Sequence, residues 1–482
     1  MPTREPAPAP GVRHVVVVGG GIAGLAAAWF LRRDLGTRVR VTVLEGAPTI
    51  GGKLATSSVS RLTVDVGAEA MLARRPEGVD LVRAVGLGDE LEPARTASAG
   101  VWSRGALRRL PEGQVMGVPS DLRALAVSRV LSPRGLARAP LDLLLRRTPV
   151  EEDLSVAAHV GARMGREVVE RLVEPLLGGV YAGHADALSF EATVPQLAAA
   201  VRRDRTLLAA ARRVRASSAG SAGPVFVGLP GGLGRLPGAV ATASGAEVRT
   251  GATVRRLCRD GQGWQLVLGP TRAPEPLEAD AVVLAVPARP AARLLAEVAP
   301  AASTELGGID YASTALVTLA LDRAGLPRVP EGSGFLVPPV ENRLVKGVTL
   351  SSEKWGWLRE ADPGLLVLRA SVGRYGEEAD LQRDDDDLVA AVTADLADLV
   401  GLRGRPRAAL VTRWGGGLPQ YAVGHRARVA RALAAVADAP GLAVCGAAYE
   451  GVGIPACVAT AEAAARRVGR YLGDGLPPGE RH

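Results

Sequence analysis

A run of valines that leads into a glycine-rich turn is the feature of this chain that most limits its fold. Residues 15–18 are all valine, which is typical of a strand buried on both faces of a sheet. Gly19, Gly21 and Gly24 follow with the spacing GxGxxG, and the Ala- and Leu-rich segment 22–35 predicts a helix. In such a unit the first glycine allows a tight turn, the second lets the backbone approach a pyrophosphate, and the third lets helix and strand pack closely. The sequence therefore predicts a dinucleotide site at the start of the chain.

The first helix and the strand after it complete the predicted nucleotide site. The amide groups at the start of the helix, including those of Ile22 and Ala23, would face the phosphates. A second apolar run, 39–44, ends at Glu45, whose carboxylate can accept hydrogen bonds from ribose hydroxyls. Because a glutamate repels a 2′-phosphate, NADP is disfavoured, and FAD and NAD remain.

Two further glycine-containing segments favour FAD. Gly51, Gly52 and Lys53 follow the second strand closely, and Gly67 and Ala68 lie in the segment VDVGAE. This combination resembles the FAD-dependent family of amine oxidases, phytoene desaturases and porphyrinogen oxidases, in which these segments lie along the flavin and the pyrophosphate. The resemblance implies that all five residues contact FAD. The alternative is that these glycines only turn the chain.

A second βα unit lies near the carboxyl end of the chain. The apolar run 442–446 leads through a Gly-rich loop into a long Ala-rich helix, so a second helix N-terminus would face the cofactor near its flavin end. We expect Gly446, Val452, Gly453 and Ile454 to make this contact. Both ends of the chain would then close on one FAD molecule.

The order of predicted elements indicates an α/β chain with a discontinuous Rossmann-type FAD-binding domain, a mixed-sheet substrate domain and a mostly helical insertion. The FAD-binding domain is predicted from three segments, which are 11–90, 222–298 and 436–476. The strand-like runs of 91–118 and 299–435 predict the substrate domain. Residues 119–221 are the helical insertion, and residues 1–10 are a Pro/Ala-rich tail that we predict to be disordered.

The composition limits the other functions of the chain. At 482 residues the chain is long enough for two or three domains, and no uncharged apolar stretch is long enough for a transmembrane helix. The N-terminus has no hydrophobic core of a secretory signal. Three cysteines at 258, 445 and 457 show neither metal nor disulfide spacing, so we predict inert thiols and a reducing cytoplasm. A net charge of +8 suits an anionic substrate or surface, whereas no nucleic-acid motif is present.

Several blocks between the two βα units resemble the bacterial porphyrinogen oxidases of haem synthesis. These blocks are VEPLLGGVYAGHADALSFEATVPQL at 173–197, 225–237, 307–321, 334–355 and RWGGGLPQYAVGH at 413–425, and GVGIP at 451–455 completes the set. The chain is similar in particular to the coproporphyrinogen III oxidases of that family. Many members have Asp before the final cysteine of GIPDC. Here Ala456 replaces it, so any role of that carboxylate is absent.

The resemblance implies a six-electron, FAD-mediated oxidation of coproporphyrinogen III to coproporphyrin III, with O2 as acceptor and H2O2 as product. The sequence has no Ser/His/Asp arrangement, no paired catalytic carboxylates and no metal cluster. We therefore predict no catalytic side chain and no metal, because the flavin carries the reaction while the protein orients the substrate and excludes solvent.

The substrate pocket should be apolar around the macrocycle and basic at its propionates. The resemblance implies that Ser333, Gly334 and Leu336 lie near the ring, with Leu368 opposite. Arg74 is a candidate for binding the propionates. Further candidates with the same role are Arg75 and, more weakly, Arg369, Arg374 and Lys346.

Roles can also be predicted for five other residues. Trp414 and Tyr421 would border the flavin, with core packing as the alternative. Val254 matches the position where the backbone meets adenine. His184 and His425 are expected to be structural rather than basic groups.

The resemblance also implies binding partners, and it leaves alternative activities open. A ferrochelatase is expected to make transient contact, and a cytoplasmic protein of this kind is soluble or loosely associated with a membrane. The basic amphipathic helices of the insertion are either ordinary solvated helices or a surface for anionic lipid or a partner protein. Protoporphyrinogen IX oxidation is the nearest alternative activity. An amine oxidase and a flavin-binding protein that only hands on porphyrin are the more distant ones.

Overall fold

The structure is a computed structural model that describes residues 11–147, 152–218, 223–261 and 263–474. The predicted tail, 1–10, lies outside the described residues. The strands are β1 (Arg13–Val18), β2 (Val39–Leu44), β3 (Thr56–Val59), β4 (Leu62–Asp65), β5 (Met71–Leu72), β6 (Glu92–Pro93), β7 (Gly100–Ser103), β8 (Ala106–Arg109), β9 (Phe226–Gly228), β10 (Glu247–Arg249), β11 (Val254–Asp260), β12 (Gly263–Leu268), β13 (Glu275–Ala279), β14 (Ala281–Leu284), β15 (Tyr311–Asp322), β16 (Gly334–Leu336), β17 (Val345–Thr349), β18 (Leu365–Val372), β19 (Ala408–Pro419) and β20 (Leu442–Val444).

The helices connect these strands and form one part of the molecule by themselves. They are α1 (Ile22–Leu35), α2 (Pro76–Ala84), α3 (Leu122–Ser128), α4 (Pro133–Arg138), α5 (Val156–Met164), α6 (Arg166–Val168), α7 (Glu174–Tyr181), α8 (Phe190–Thr193), α9 (Pro195–Val201), α10 (Leu207–Ser218), α11 (Arg235–Ser244), α12 (Ala288–Leu295), α13 (Pro300–Gly307), α14 (Ser351–Lys354), α15 (Gly356–Ala361), α16 (Asp385–Val400), α17 (His425–Ala437) and α18 (Ile454–Asp474).

A parallel five-stranded sheet carries both βα units predicted from the sequence. Its strand order is β10-β2-β1-β14-β20. β1 pairs with β2 on one side and with β14 on the other, which explains why its valines are almost wholly buried. The strands β1 and β20 each lead into a helix at the same end of the sheet, because parallel strands share the edge at which they end. The predicted Rossmann-type fold is confirmed.

Helices and a small antiparallel sheet cover the two faces of this parallel sheet. The helices α1, α11 and α18 bury their apolar sides on one face. The sheet β11-β12-β13 and the helices α12, α13 and α17 pack on the other. The prediction placed α13 and α17 in the substrate domain, but their apolar faces pack with the core of the parallel sheet.

A mixed seven-stranded sheet forms the second large unit, with the order β19-β15-β18-β17-β16-β7-β8. Its pairs are antiparallel except for β16 with β7. Leu388, Val392 and Leu396 of α16 cover one face. The predicted mixed sheet is thus confirmed, and it brings the segments around 100–109 and 311–419 together.

The helical insertion has a core of its own. Leu172 and Phe190 lie in it, and the helices α5 to α10 surround them. A buried ion pair between Arg163 and Asp142, with Nε and Oδ1 2.5 Å apart, stabilises the insertion, and Asp142 also accepts hydrogen bonds from the backbone at the start of α10. Within the described residues, no helix is both long and apolar enough to span a membrane.

Candidate active site

The three glycines of the N-terminal turn are required for different reasons. Gly19 has φ +111°, and a Cβ there would lie 2.6 Å from the carbonyl oxygen of Ala285. A Cβ on Gly24 would lie 1.9 Å from the oxygen of Gly19. A Cβ on Gly21, in contrast, would meet no protein atom within 4 Å. The fold itself needs the first and third glycines, whereas the second faces open space that a ligand could fill.

The start of α1 borders the same space. Gly21 is the N-cap, its backbone is extended, and no side chain caps the helix. The first turn contains no acidic residue. The amides of Ile22 and Ala23 therefore have no intrahelical acceptor, and together with the helix dipole they favour an anion at this position. A pyrophosphate fits this donor set.

The carboxylate of Glu45 closes the turn from the side of β2. Its Oε2 accepts a hydrogen bond from the Gly20 amide (2.7 Å), and its Oε1 accepts one from the Ala47 amide (2.8 Å). A carboxylate has about four lone-pair positions, so ribose hydroxyls could still donate to both oxygens. The Ala252 amide donates to the Glu45 carbonyl (2.8 Å), which places Val254 beside this predicted ribose site.

The glycine pair that follows β2 packs against the turn. The Gly51 amide donates to the carbonyl of Gly20 (2.8 Å), and Gly51 forms an isolated parallel bridge with Gly21. A Cβ on Gly52 would lie 3.5 Å from the Cα of Gly21. The backbone of this pair therefore forms one side of the open space over Gly21.

The same side of this space, which we call the flavin wall, continues with Lys53, Gly67 and Trp414. The Ala68 amide donates to the carbonyl of Lys53 (3.0 Å), and a Cβ on Gly67 would lie 2.0 Å from that same oxygen. The indole Nε1 of Trp414 donates to the carbonyl of Val66 (2.9 Å). The side chain of Lys53 is partly in solvent, and loss of hydration near the surrounding protein lowers the pKa of its ammonium group.

The C-terminal unit meets the N-terminal one directly. Gly446 has φ +126°, and a Cβ there would lie 3.9 Å from the Cβ of Ala23 in the first turn of α1. The amide of Gly446 donates to Oγ1 of Thr460 (3.0 Å). Val452 and Gly453 immediately precede α18, which begins at Ile454. The loop before α18 therefore lies close to the start of α1, and we call the open space over Gly21 the cleft.

A buried charged cluster lies behind the Gly67–Ala68 wall. Glu69 accepts hydrogen bonds from Lys354 Nζ and Arg369 Nη1, both at 2.7 Å, and from Ser351 Oγ at 3.2 Å. Arg369 Nη2 donates to the carbonyl of Gly67 (2.7 Å). Burial alone would raise the pKa of Glu69, but Lys354 and Arg369 lower it to about 2. The cluster therefore fixes the backbone that would lie along the flavin.

Sequence reasoning missed Glu69 and Lys354. The available signal for Glu69 was a charged residue in the otherwise apolar segment GAEAML, whereas the polar segment SSEKW gave no such signal for Lys354. Charged residues are nearly always exposed in proteins, so one that lies among buried neighbours is informative. Nothing in the spacing, however, shows that two residues 285 positions apart form an ion pair.

Asp65 lies beside this cluster and has an unusual pKa. Burial, with the charge of Glu69 adding to it, raises the pKa of Asp65 to about 7. Asp65, Glu69, Trp355 and Arg369 line a cavity of about 10 Å³, which is room for one water molecule. Nε1 of Trp355 and Nε of Arg369 are buried without a hydrogen-bond partner among the described residues.

We predict that Asp65 makes the protein less stable as the pH rises from about 4 to 7. In the folded protein this carboxyl keeps its proton up to a pKa of about 7, whereas in the unfolded chain it loses the proton near pH 3.8. The contribution of Asp65 to the free energy of unfolding is therefore fully present below pH 3.8 and is lost as the pH rises to 7. The loss is at most about 1.4 kcal/mol per pH unit. Asp65→Asn should therefore gain stability relative to the unmodified protein between pH 5 and pH 7.5. Urea unfolding of both FAD-saturated proteins measures this, and an equal difference at the two pH values would refute it.

Three of the four residues predicted to lie near the substrate macrocycle are neighbours in the structure. Ser333 is held by Ser98, whose carbonyl accepts hydrogen bonds from its amide (2.9 Å) and its hydroxyl (3.0 Å). Gly334 follows with φ +150°, and a Cβ there would lie 2.0 Å from the carbonyl oxygen of Val348, so the sheet itself requires this glycine. Leu336 is half-buried, and its Cδ2 lies 3.5 Å from where a Cβ of Gly179 in α7 would be. These three residues run along β16 toward the helical insertion.

Leu368, the fourth residue predicted to contact the macrocycle, lies apart from the other three. Its side chain is 1% exposed and packs in the core under α16. Side chains alternate along a strand, so Arg369, which reaches Glu69 and Gly67, fixes the opposite orientation for Leu368. The prediction of a ring contact at Leu368 is therefore corrected to a core position.

The arginines after the Gly67 segment differ in their partners. Arg75 Nη2 donates to Oε1 of Glu77 (2.6 Å). Arg74 is exposed, and within the described residues its guanidinium makes neither a hydrogen bond nor an ion pair. Arg74 is thus the more available of the two for a carboxylate of a ligand.

The weaker propionate candidates already donate hydrogen bonds to other groups of the protein. Arg369 holds Glu69 and Gly67, as described above. Lys346 is buried, donates to the carbonyl of Gly373 (2.7 Å), and has a pKa that burial lowers to about 7. Arg374 is also buried and donates to the carbonyl of Val337 (3.1 Å). All three cations therefore bind backbone carbonyls or a buried carboxylate inside the protein.

The two histidines have structural surroundings. Burial lowers the pKa of His425 to about 4, and its ring stacks on that of Tyr421 with centroids 3.9 Å apart. His184 lies 3.1 Å from Oε1 of Glu174, and this hydrogen bond raises its pKa. Across the described residues, no group of three or more His, Cys, Asp or Glu side chains could hold a metal ion.

Known proteins resemble the chain over almost its whole length. The sequence profile of the flavin-containing amine oxidoreductases matches residues 22–469. The coproporphyrinogen III oxidase of Bacillus subtilis is 32% identical over 474 residues, covering 96% of this chain and 99% of that protein. The coproporphyrinogen III oxidase of Mycobacterium bovis is 38% identical over 451 residues, covering 93% and 96%.

A solved structure gives the same result for the fold. A protein of Exiguobacterium sp. 255-15, named as a candidate protoporphyrinogen oxidase, superposes with a TM-score of 0.83 at 33% identity. The match covers 94% of this chain and 98% of that one. The similarity therefore extends over the cleft, the helical insertion and the large sheet alike.

Proposed function

The chain belongs to the family of flavin-containing amine oxidoreductases and uses FAD, and from that premise we propose that it oxidises coproporphyrinogen III to coproporphyrin III in haem biosynthesis. The observation that carries this proposal is the similarity, over more than nine-tenths of the chain, to proteins named coproporphyrinogen III oxidase. The reaction removes six electrons, with O2 as acceptor and H2O2 as product. FAD, when bound, supplies the redox chemistry.

The residues of the cleft would bind FAD in the order of its parts. Glu45 and Val254 hold the adenosine, the turn at Gly19 and the start of α1 hold the pyrophosphate, and Trp414 borders the flavin. The full set that we assign to FAD is Gly19, Gly21, Ile22, Ala23, Gly24, Glu45, Gly51, Gly52, Lys53, Gly67, Ala68, Val254, Trp414, Gly446, Val452, Gly453 and Ile454. No side chain is assigned as a general acid or base, because porphyrinogen oxidation needs orientation and a dry pocket more than proton transfer by the protein.

The porphyrinogen would bind along β16, at Ser333, Gly334 and Leu336, with a propionate at Arg74. We predict that Arg74→Ala raises KM for coproporphyrinogen III about tenfold, because a charge-assisted hydrogen bond to a carboxylate is lost, while kcat changes little. Arg75→Ala is the matched control, since Glu77 already pairs with that guanidinium. Initial rates from porphyrin fluorescence measure both. An equal rise in KM for the two variants would contradict the assignment.

A preference for protoporphyrinogen IX is the second candidate function, because the matched Exiguobacterium structure carries that name. Coproporphyrinogen III has four propionates and protoporphyrinogen IX has two, so a cleft that binds more carboxylates favours the former. The purified, FAD-loaded protein should show a higher kcat/KM with coproporphyrinogen III and should release H2O2. A higher value with protoporphyrinogen IX would replace our assignment, and H2O2 release with simple amines alone would place the chain among the amine oxidases.

The helical insertion offers a surface for the proposed loose membrane contact. Leu144 is 78% exposed, and Leu141, Leu143 and Leu145 are partly exposed beside it. Arg146 and Arg147 follow directly, which is the composition of a segment that lies on an anionic membrane. Leu144→Ser should weaken co-sedimentation with phosphatidylglycerol vesicles. Equal sedimentation with pure phosphatidylcholine would argue against an electrostatic contact, and transient binding of a ferrochelatase, also proposed, is measured separately by cross-linking.

A further inference from the structure

The hydroxyl of Tyr421 joins the two ends of the loop that precedes α18. Tyr421 follows β19 and is almost wholly buried. Its hydroxyl donates to the carbonyl of Ala447 (2.7 Å) and accepts from the amide of Gly451 (2.7 Å). The loop 447–451 lies between β20, which ends at Val444, and α18, which begins at Ile454. One phenol oxygen therefore replaces the backbone partners that this loop would have in a helix or strand.

The backbone on either side of the loop explains why it needs such a contact. Gly446 has φ +126° and Gly451 has φ +139°, conformations that residues with side chains rarely adopt. A glycine just before the loop and another at its last position give it conformational freedom that must be removed in the folded state. The phenol removes it by fixing one group at each end.

The phenol itself is held by the helical insertion. The ring of Tyr421 stacks on His425 and contacts Tyr181 of α7 at 5.3 Å between centroids. The carbonyl of Tyr421 accepts a hydrogen bond from the Ser189 amide (2.7 Å). The neighbouring Gln420 donates through Nε2 to the carbonyl of Tyr181 (2.8 Å). The ring is therefore held by α7, by the start of α8 and by His425 at the start of α17, all of which lie outside the loop.

We propose that Tyr421 is a positioning residue that holds the loop 447–451 and thereby orients the start of α18 toward the flavin end of FAD. The inference rests on the proposed function only in taking Gly446 and residues 452–454 as FAD contacts. It gives Tyr421 a role distinct from bordering the flavin, because its hydroxyl donates to one end of the loop and accepts from the other. It also makes the helical insertion a support for the cofactor site.

The test is the variant Tyr421→Phe, which keeps the ring and removes one oxygen. Deflavinated protein is titrated with FAD, and flavin fluorescence gives the dissociation constant. We expect it to rise about tenfold, equivalent to roughly 1.4 kcal/mol, and the visible absorption bands of the bound flavin to shift. A merely structural role would lower the melting temperature without moving those bands.

The matched control is Tyr181→Phe. Tyr181 packs against the same ring, and its hydroxyl makes no hydrogen bond with any described residue, so FAD affinity and spectrum should not change. Unchanged affinity in Tyr421→Phe, or an equal loss in both variants, would overturn the inference. Because FAD is the only probe, these outcomes are independent of the substrate. Failure of the unmodified protein to bind FAD would instead refute the proposed function.

Discussion

The variant Gly21→Val is expected to fold and to retain no FAD. A Cβ at this position would meet no protein atom within 4 Å, so we expect the fold to accept a side chain there. The same space is where the backbone must approach the pyrophosphate, and an isopropyl group would occupy it. The absorbance ratio at 450 and 280 nm of the purified variant measures the flavin content. Circular dichroism should be close to that of the unmodified protein stripped of FAD.

Gly24→Ala is the control that separates loss of the ligand from loss of the fold. Its Cβ would lie 1.9 Å from the carbonyl oxygen of Gly19, so we expect severe destabilisation even without FAD. The pair of variants therefore distinguishes the two uses of glycine in one motif. A Gly21→Val protein that carries a full complement of FAD would contradict the position of the pyrophosphate.

The second large effect is expected for Glu69→Ala. This change removes the acceptor shared by Lys354 and Arg369 and leaves two buried cations without their carboxylate. Breaking a buried ion pair from one side costs about 3–5 kcal/mol. Arg369 would also be freed from its position against the carbonyl of Gly67, so FAD should dissociate faster. Urea unfolding at pH 7 gives the stability, and stopped-flow release of FAD gives the rate.

Glu69→Gln provides the comparison, because it keeps an oxygen acceptor at the same place and removes only the charge. We expect its stability to fall between those of the unmodified protein and Glu69→Ala. If Glu69→Ala were as stable as the unmodified protein, the cluster would not support the flavin wall.

The parts of the fold that depend on short-range motifs could be predicted from the sequence. The predicted helix 22–35 coincides with α1, and the predicted strand 39–44 coincides with β2. Runs of buried β-branched residues, glycine spacing and apolar periodicity lie within a few residues of one another, so one stretch of sequence is enough to show them.

The parts of the site that depend on distant residues could not be predicted. Glu69 meets Arg369 across 300 positions, and Tyr421 meets Ala447 between segments that have no common pattern. The resemblance placed Leu368 at the substrate, but a shift of one residue along a strand reverses the side chain's direction. The sequence also could not show that the weaker propionate candidates are buried, because a buried cation and an exposed one have the same sequence signature.

Anaerobic titration of the FAD-loaded protein with coproporphyrinogen III tests the central claim most directly. Because the porphyrinogen must give its electrons to the flavin before oxygen is involved, substoichiometric substrate should bleach the flavin absorbance at 450 nm, while porphyrin fluorescence appears in proportion. Readmitting O2 should restore the absorbance. A protein that binds FAD fully and shows no bleaching with coproporphyrinogen III would contradict the account.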